Sequence, residues 1–117
     1  MQFTVEFYES ATGRTPVREF LDELRRSDPG DFAAVLAGLE RLQQRQYHRA
    51  PLCKAVGDGL FELRHVGKLN SRVLWFFVKG RRIVAVHGVR NKGWSIPMRD
   101  LATARERMRD WLNRNEV

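Results

Sequence analysis

Between Leu63 and Arg99 the chain has no Asp and no Glu, although nine Lys or Arg fall in the same span. Residues 1–62 hold eight bases against ten acids, and residues 100–117 hold four of each, so the formal charge of +7 arises in that one stretch. Like charges gathered on one surface repel each other, so an anionic partner is expected. A sequence pI near 10.5 makes phosphate-rich molecules the first class to consider.

Cysteine is almost missing: Cys53 stands alone and cannot form an internal disulfide. The first residues, MQFTVEFYES, lack the basic-then-apolar order of a signal peptide. No apolar run approaches the roughly 20 residues of a membrane span. The expected setting is therefore cytoplasmic, with no membrane partner. Three scattered histidines and one cysteine have no ligand spacing, so neither a metal nor a cofactor is expected. There is no internal repeat and no low-complexity segment, and 117 residues suit a single domain over 1–117.

What is present is periodicity. Phe3, Val5 and Phe7 alternate with polar partners over residues 2–8, which predicts a half-buried strand. Thr15-Pro16 is a helix start, and Val17, Phe20, Leu21 and Leu24 line one face of that helix. Asp28-Pro29 starts a second helix, buried through Phe32, Val35, Leu36, Leu39 and Leu42. In it Gly38 either lets the two helices approach closely or is a tolerated defect. Residues 43–59 read as a polar connection ending in the Asp58-Gly59 turn. From Phe61 to Arg64, Arg72 to Val78 and Ile83 to His87 the pattern is that of three strands with tight turns, an antiparallel meander. Pro97 opens a last helix with an apolar stripe of Leu101, Ala104, Met108, Trp111 and Leu112. The order is β-α-α-β-β-β-α. It predicts an α+β fold with one four-stranded, mainly antiparallel sheet, an N-terminal helical hairpin and a C-terminal helix.

This order, together with Gly59-Leu60-Phe61-Glu62-Leu63-Arg64, Arg72-Val73-Leu74, and His87-Gly88 followed by a basic cluster and Pro97, resembles the RelE/HigB/ParE toxin superfamily. The likeness is greatest to its phage-derived, HigB-like branch. The resemblance implies a toxin of a two-protein toxin–antitoxin module. It also implies a metal-independent endoribonuclease that cuts mRNA, in the family usually on the ribosome, by attack of the ribose 2′-hydroxyl, and an antitoxin as protein partner. Carried over to this chain, the catalytic residues are Lys54, Arg64, Arg72 and Lys92. The loop departs from the branch pattern, with Asn91 where a lysine is usual and with Arg90 and Trp94 added. Lys68, Arg90, Asn91 and Trp94 are the candidate RNA contacts. The alternatives are a non-catalytic gyrase inhibitor of the ParE type and a basic nucleic-acid-binding domain.

The residue types suit such a reaction. Arginine donates two hydrogen bonds to phosphate at any pH, and Lys54 is the candidate for the base that takes the 2′-OH proton. His48, His65 and His87 have acid–base chemistry, but strand parity turns His65 away from Arg64. Structural readings stand beside these. Arg64 can pair with Glu62 on its own face, and Arg72 can be a solvated strand end. His87 can be a core histidine, and Lys79, Arg81 and Arg82 can form a charged hairpin tip. Trp94 either stacks a base or covers the last helix.

Overall fold

A computed structural model describes residues 2–115; the ends of the expected domain, Met1, Glu116 and Val117, lie outside the described residues. Five strands and three helices follow in the order β1 (Thr4–Phe7), α1 (Pro16–Ser27), α2 (Pro29–Arg41), β2 (Cys53–Gly57), β3 (Leu60–Val66), β4 (Asn70–Val78), β5 (Arg82–Asn91) and α3 (Met98–Arg114). The fold is α+β, as expected, but the sheet has five strands where four were predicted, in the order β1-β5-β4-β3-β2. The added strand, β2, lies within the expected polar connection. It is an edge strand, paired on one side, and its residues Cys-Lys-Ala-Val-Gly carry little alternation. Only Cys53 is deeply buried there.

Strands β2 to β5 form an antiparallel meander, and β1 pairs with β5 in parallel. The β2–β3 hairpin turns on Asp58 and Gly59, both at positive φ (56° and 84°), the conformation that Asp-Gly supplies at low cost. Strand β5 runs on to Asn91 instead of ending at His87, so Arg90 and Asn91 lie on a strand and not in a loop.

Side chains alternate between two cores. On one face α1 and α2 pack Val17, Leu21, Leu24, Val35 and Leu39 against Leu63, Val73, Trp75, Ile83 and Ala85. On the other, α3 packs Ala104 and Trp111 against Leu60, Leu74, Phe76, Val84 and Val86. Asp28 caps α2 by accepting from the Asp31 amide at 3.1 Å, whereas the expected Thr15 hydroxyl makes no cap bond. Two glycines set the closeness of the first layer. A Cβ on Gly38 would stand 3.1 Å from Leu63, so this residue lets α2 approach the sheet rather than α1. A Cβ on Gly88 would overlap the Phe20 ring at 2.2 Å.

Candidate nucleic-acid interface

α3 covers only part of its face of the sheet. Pairing sets Lys54 opposite Glu62 and Arg64 opposite Arg72, and partners directly opposite share a face. These four residues lie on the α3 side, beyond the apolar rows on which α3 rests. The segment after β5 folds back over Arg72 and leads through Pro97 into α3.

Arg72 is not the solvated strand end or substrate donor expected of it. Its side chain is fully buried, at 0% exposure, and is spent on protein acceptors. Nη1 donates to Asn91 Oδ1 at 2.8 Å, and Nη2 donates to the backbone oxygens of Gly93 at 3.2 Å and Trp94 at 2.7 Å. Nε stands 3.1 Å from the Glu62 carboxylate, itself buried. A buried guanidinium needs such partners, because an unpaired charge away from water costs several kcal/mol. Glu62 therefore belongs to Arg72, and the expected pairing of Glu62 with Arg64 does not form. Asn91, a candidate RNA contact, joins the same assembly: it accepts from Arg72 and donates through Nδ2 to the Ser95 oxygen at 3.2 Å. Asn70 adds a bond to the Gly93 oxygen at 2.8 Å.

Arg90 is also displaced from the role given to it. Pairing with Ser71, after an irregularity in the β4–β5 register at Leu74–Trp75, turns it to the helical-hairpin face, where Nη2 reaches Asp28 at 2.8 Å and Asp31 at 2.9 Å. The same Asp31 takes His65 Nε2 at 3.1 Å, so His65 does face away from Arg64. The amide of Asp31, foremost, and then Arg90 hold the Asp28 carboxyl below its ordinary range.

Arg64 and Lys54 are brought together. Both line one groove of about 420 Å3 beside the β2 edge, with Glu62 and residues 48–53 as its other wall. Neither makes an ion pair with a described carboxylate, and the same holds for Lys68, Lys92 and Arg99 among the described residues. Lys68 is exposed in the β3–β4 turn, and Lys92 is exposed just past β5. A neighbouring depression shares Arg49, Leu52 and Arg64 with the groove and adds Arg41 and Tyr47, where Arg41 stacks on the Tyr47 ring at 5.7 Å. Arg41 and Arg49 escaped the sequence reading because they belong to a stretch with more acids than bases; only the fold separates them from those acids.

Trp94 is 76% exposed and so does not cover α3; Met98 at 85% and Val66 at 52% are, with it, the most exposed of the large apolar side chains described. All three belong to the open end of the α3-side face, the end that carries Arg64 and Arg72.

The histidines are engaged elsewhere. His48 Nε2 meets the Leu42 oxygen at 2.6 Å, and His87 is held by Asp100 at 2.7 Å and by Arg107 at 2.8 Å. His87 is thus a satisfied, half-buried residue that pins the start of α3. It lines a separate cleft with Tyr8, Arg14 and Arg107. Burial, the main cause, lowers the Arg107 pKa from its ordinary value. At the hairpin tip Arg82 pairs with Glu6 at 3.0 Å and lies over the Trp111 ring at 5.3 Å, so it is committed to the fold. Among the described residues no group of His, Cys, Asp and Glu is arranged to hold a metal, and no helix is long and apolar enough to cross a membrane.

Comparison with known families places the chain. The family described as phage-derived protein Gp49-like (DUF891) has a model that matches residues 22–109, three quarters of the sequence. The chain belongs to the Gp49-like family. The match begins inside α1 and ends inside α3, so it spans the complete meander and the groove of Lys54 and Arg64. No curated protein matches the chain. Of the expected site residues of this Gp49-like protein, Lys54, Arg64, Lys68 and Lys92 have no carboxylate partner among the described residues, while the side chains of Arg72, Arg90 and Asn91 are bonded within the fold.

Proposed function

We propose that this Gp49-like protein is the toxin of a toxin–antitoxin module and acts as an endoribonuclease on mRNA. The family is commonly associated with RelE/HigB-like toxin modules. The observation that carries the reading is the presence of Arg64 and Lys54, two cations with no carboxylate partner among the described residues, in one groove beside the β2 edge. In this reading Arg64 donates to the oxygens of the scissile phosphate as negative charge grows in the transition state. Lys54 takes the proton of the ribose 2′-hydroxyl, whose oxygen attacks phosphorus to form a 2′,3′-cyclic phosphate and expels the 5′-oxygen, which takes its proton from water. Lys92 and Lys68 attract the backbone on either side, and Arg41 and Arg49 extend the track along the β2 edge. The antitoxin presents Asp and Glu to the same cations, with Arg64 rather than Arg72 or Arg90 as the central contact.

The test is cleavage of RNA by the purified protein and its Arg64→Ala and Lys54→Ala variants. Each should cut on the order of 10²–10³ more slowly while unfolding at the same denaturant concentration, as for loss of a transition-state donor. Wild-type rates in both variants would refute the assignment.

A second reading has its own observation: all three histidines are engaged away from the open face, so none is placed to protonate the leaving oxygen. A non-catalytic binder, acting on gyrase or on nucleic acid, needs no such group. Such a protein would arrest growth without producing new RNA ends.

A further inference from the structure

Arg72 aims its two Nη nitrogens at the end of β5 and the segment that follows it, while Nε faces Glu62. Three of its bonds end on Asn91, Gly93 and Trp94, and Asn70 and Asn91 add one each to Gly93 and Ser95. A surface segment is not ordinarily tied to the interior by a fully buried guanidinium; exposed turns of this length satisfy their carbonyls with water. Here the bonds take up the backbone oxygens and leave the Trp94 side chain outside, 76% exposed. An indole kept in water forgoes about 2 kcal/mol or more of burial energy, and the sequence could have carried a polar residue there at no cost to the brace, which uses only the backbone of residue 94.

We infer that residues 91–95 form a braced platform on which Trp94 stacks an unpaired nucleobase of single-stranded RNA, with Arg72 as a positioning residue rather than a catalytic one. The inference rests on the RNA reading above and deepens it. The choice of occupant follows from charge. From Leu63 to Arg99 there is no acid, and the unpaired cations Lys92 and Arg99 flank Trp94 in sequence. An apolar peptide gains nothing from that ring of charge, and a lipid surface would need a broader apolar face than one indole and the Met98 side chain. A nucleotide needs both parts, a ring to stack on and cations for its phosphate, and stacking is open to every base. A base already paired in a duplex offers no free face, so single strands are selected. Bracing lowers the ordering cost that a mobile loop would incur on binding.

The experiment uses the complete protein and a short, unstructured RNA whose 2′-hydroxyls are methylated, so that it binds but cannot be cut. Trp75 and Trp111 are buried at 0% and 5% exposure, which leaves Trp94 as the tryptophan reached by quenchers and ligands. RNA should quench its emission saturably, and a duplex of the same sequence should not. Trp94→Ala should weaken binding about 5- to 100-fold, the range for one lost stacked base, and Trp94→Tyr should restore most of it. Asn91→Ala removes one strut without stripping the buried guanidinium. It should lower the anisotropy of Trp94 emission and raise KM for cleavable RNA more than it lowers kcat. Unquenched Trp94 and unaltered binding in Trp94→Ala, with binding still lost in Arg64→Ala, would overturn the platform and leave the RNA reading intact. Absence of RNA binding in the wild type would overturn both, and quenching by an acidic peptide instead of RNA would replace the base with a protein partner.

Discussion

On the face covered by α1 and α2, Arg90 reaches Asp28 and Asp31 within 2.9 Å; on the opposite face Arg64 reaches no described carboxylate. The two arginines come from the same acid-free stretch and look alike in sequence. What separates them is the pleat. Arg90 stands opposite Ser71 and Arg64 opposite Arg72, adjacent β4 residues that point to different layers, and only the helical-hairpin layer brings acids from α2 to meet its cations. Arg72 shows a third outcome, buried on the open side and compensated by Glu62 together with backbone oxygens. A count of basic residues therefore overstates the surface offered to a partner, and the fold decides which charges remain available.

The sharpest way to break this contrast is Arg72→Ala. It strands Glu62 as a buried charge and frees the acceptors of the platform, so unfolding in urea should report a loss of about 3–5 kcal/mol. Arg64→Ala should alter stability by less than about 0.5 kcal/mol by the same measurement, as surface substitutions do. Equal losses in the two variants would mean that both arginines serve the fold.

The closed face offers a second, smaller test. Gly88→Ala places a methyl group in the Phe20 ring, and overpacking of this kind costs about 1–3 kcal/mol. Because Gly88 faces α1, RNA cleavage per folded molecule should be unchanged, which activity assays corrected for the folded fraction would check.

The smallest effect concerns Cys53, also on the closed face. Burial is the main cause that pushes its thiol up to about 12 from an ordinary 9.0. The folded protein then keeps a proton that the unfolded chain releases, so between pH 9 and 12 this group makes stability fall as pH rises. Below pH 9 it contributes no slope. Comparing urea midpoints of wild type and Cys53→Ala across that window should show a shallower alkaline decline in the variant. Native protein at pH 8 should resist alkylation and react once unfolded.

Much of the fold was legible because its elements are strongly periodic: α1, α2, α3 and the three central strands fall where apolar spacing puts them. Strand β2 was not, since an edge strand with a single deeply buried residue carries almost no alternation. The extension of β5 to Asn91 was hidden because its last residues are polar, and they are polar because they bond to Arg72 and to acids of α2. The site was legible in part. Lys54 and Arg64 converge as expected, and parity correctly removed His65. Parity alone did not reveal that Arg72 lies beneath the segment after β5, because that depends on a chain reversal with no periodic signal. Nor did it assign Arg90, whose partners stand about 60 positions earlier in the chain.

The parallel pairing of β1 with β5 has a consequence for the order in which a growing chain can take shape. Thr4 to Phe7 are made well before Arg82 to Ala85, their neighbour in the sheet among the described residues. The helical hairpin follows next, and the surface it must rest on, β3 to β5, does not yet exist. Nothing in the first half can settle until the second half arrives, which places this chain among slowly closing, non-local topologies. Arg72 likewise waits for Gly93 and Trp94 before its charge is housed. The groove and the braced segment beside it come into being together, once β5 and the residues after it are made.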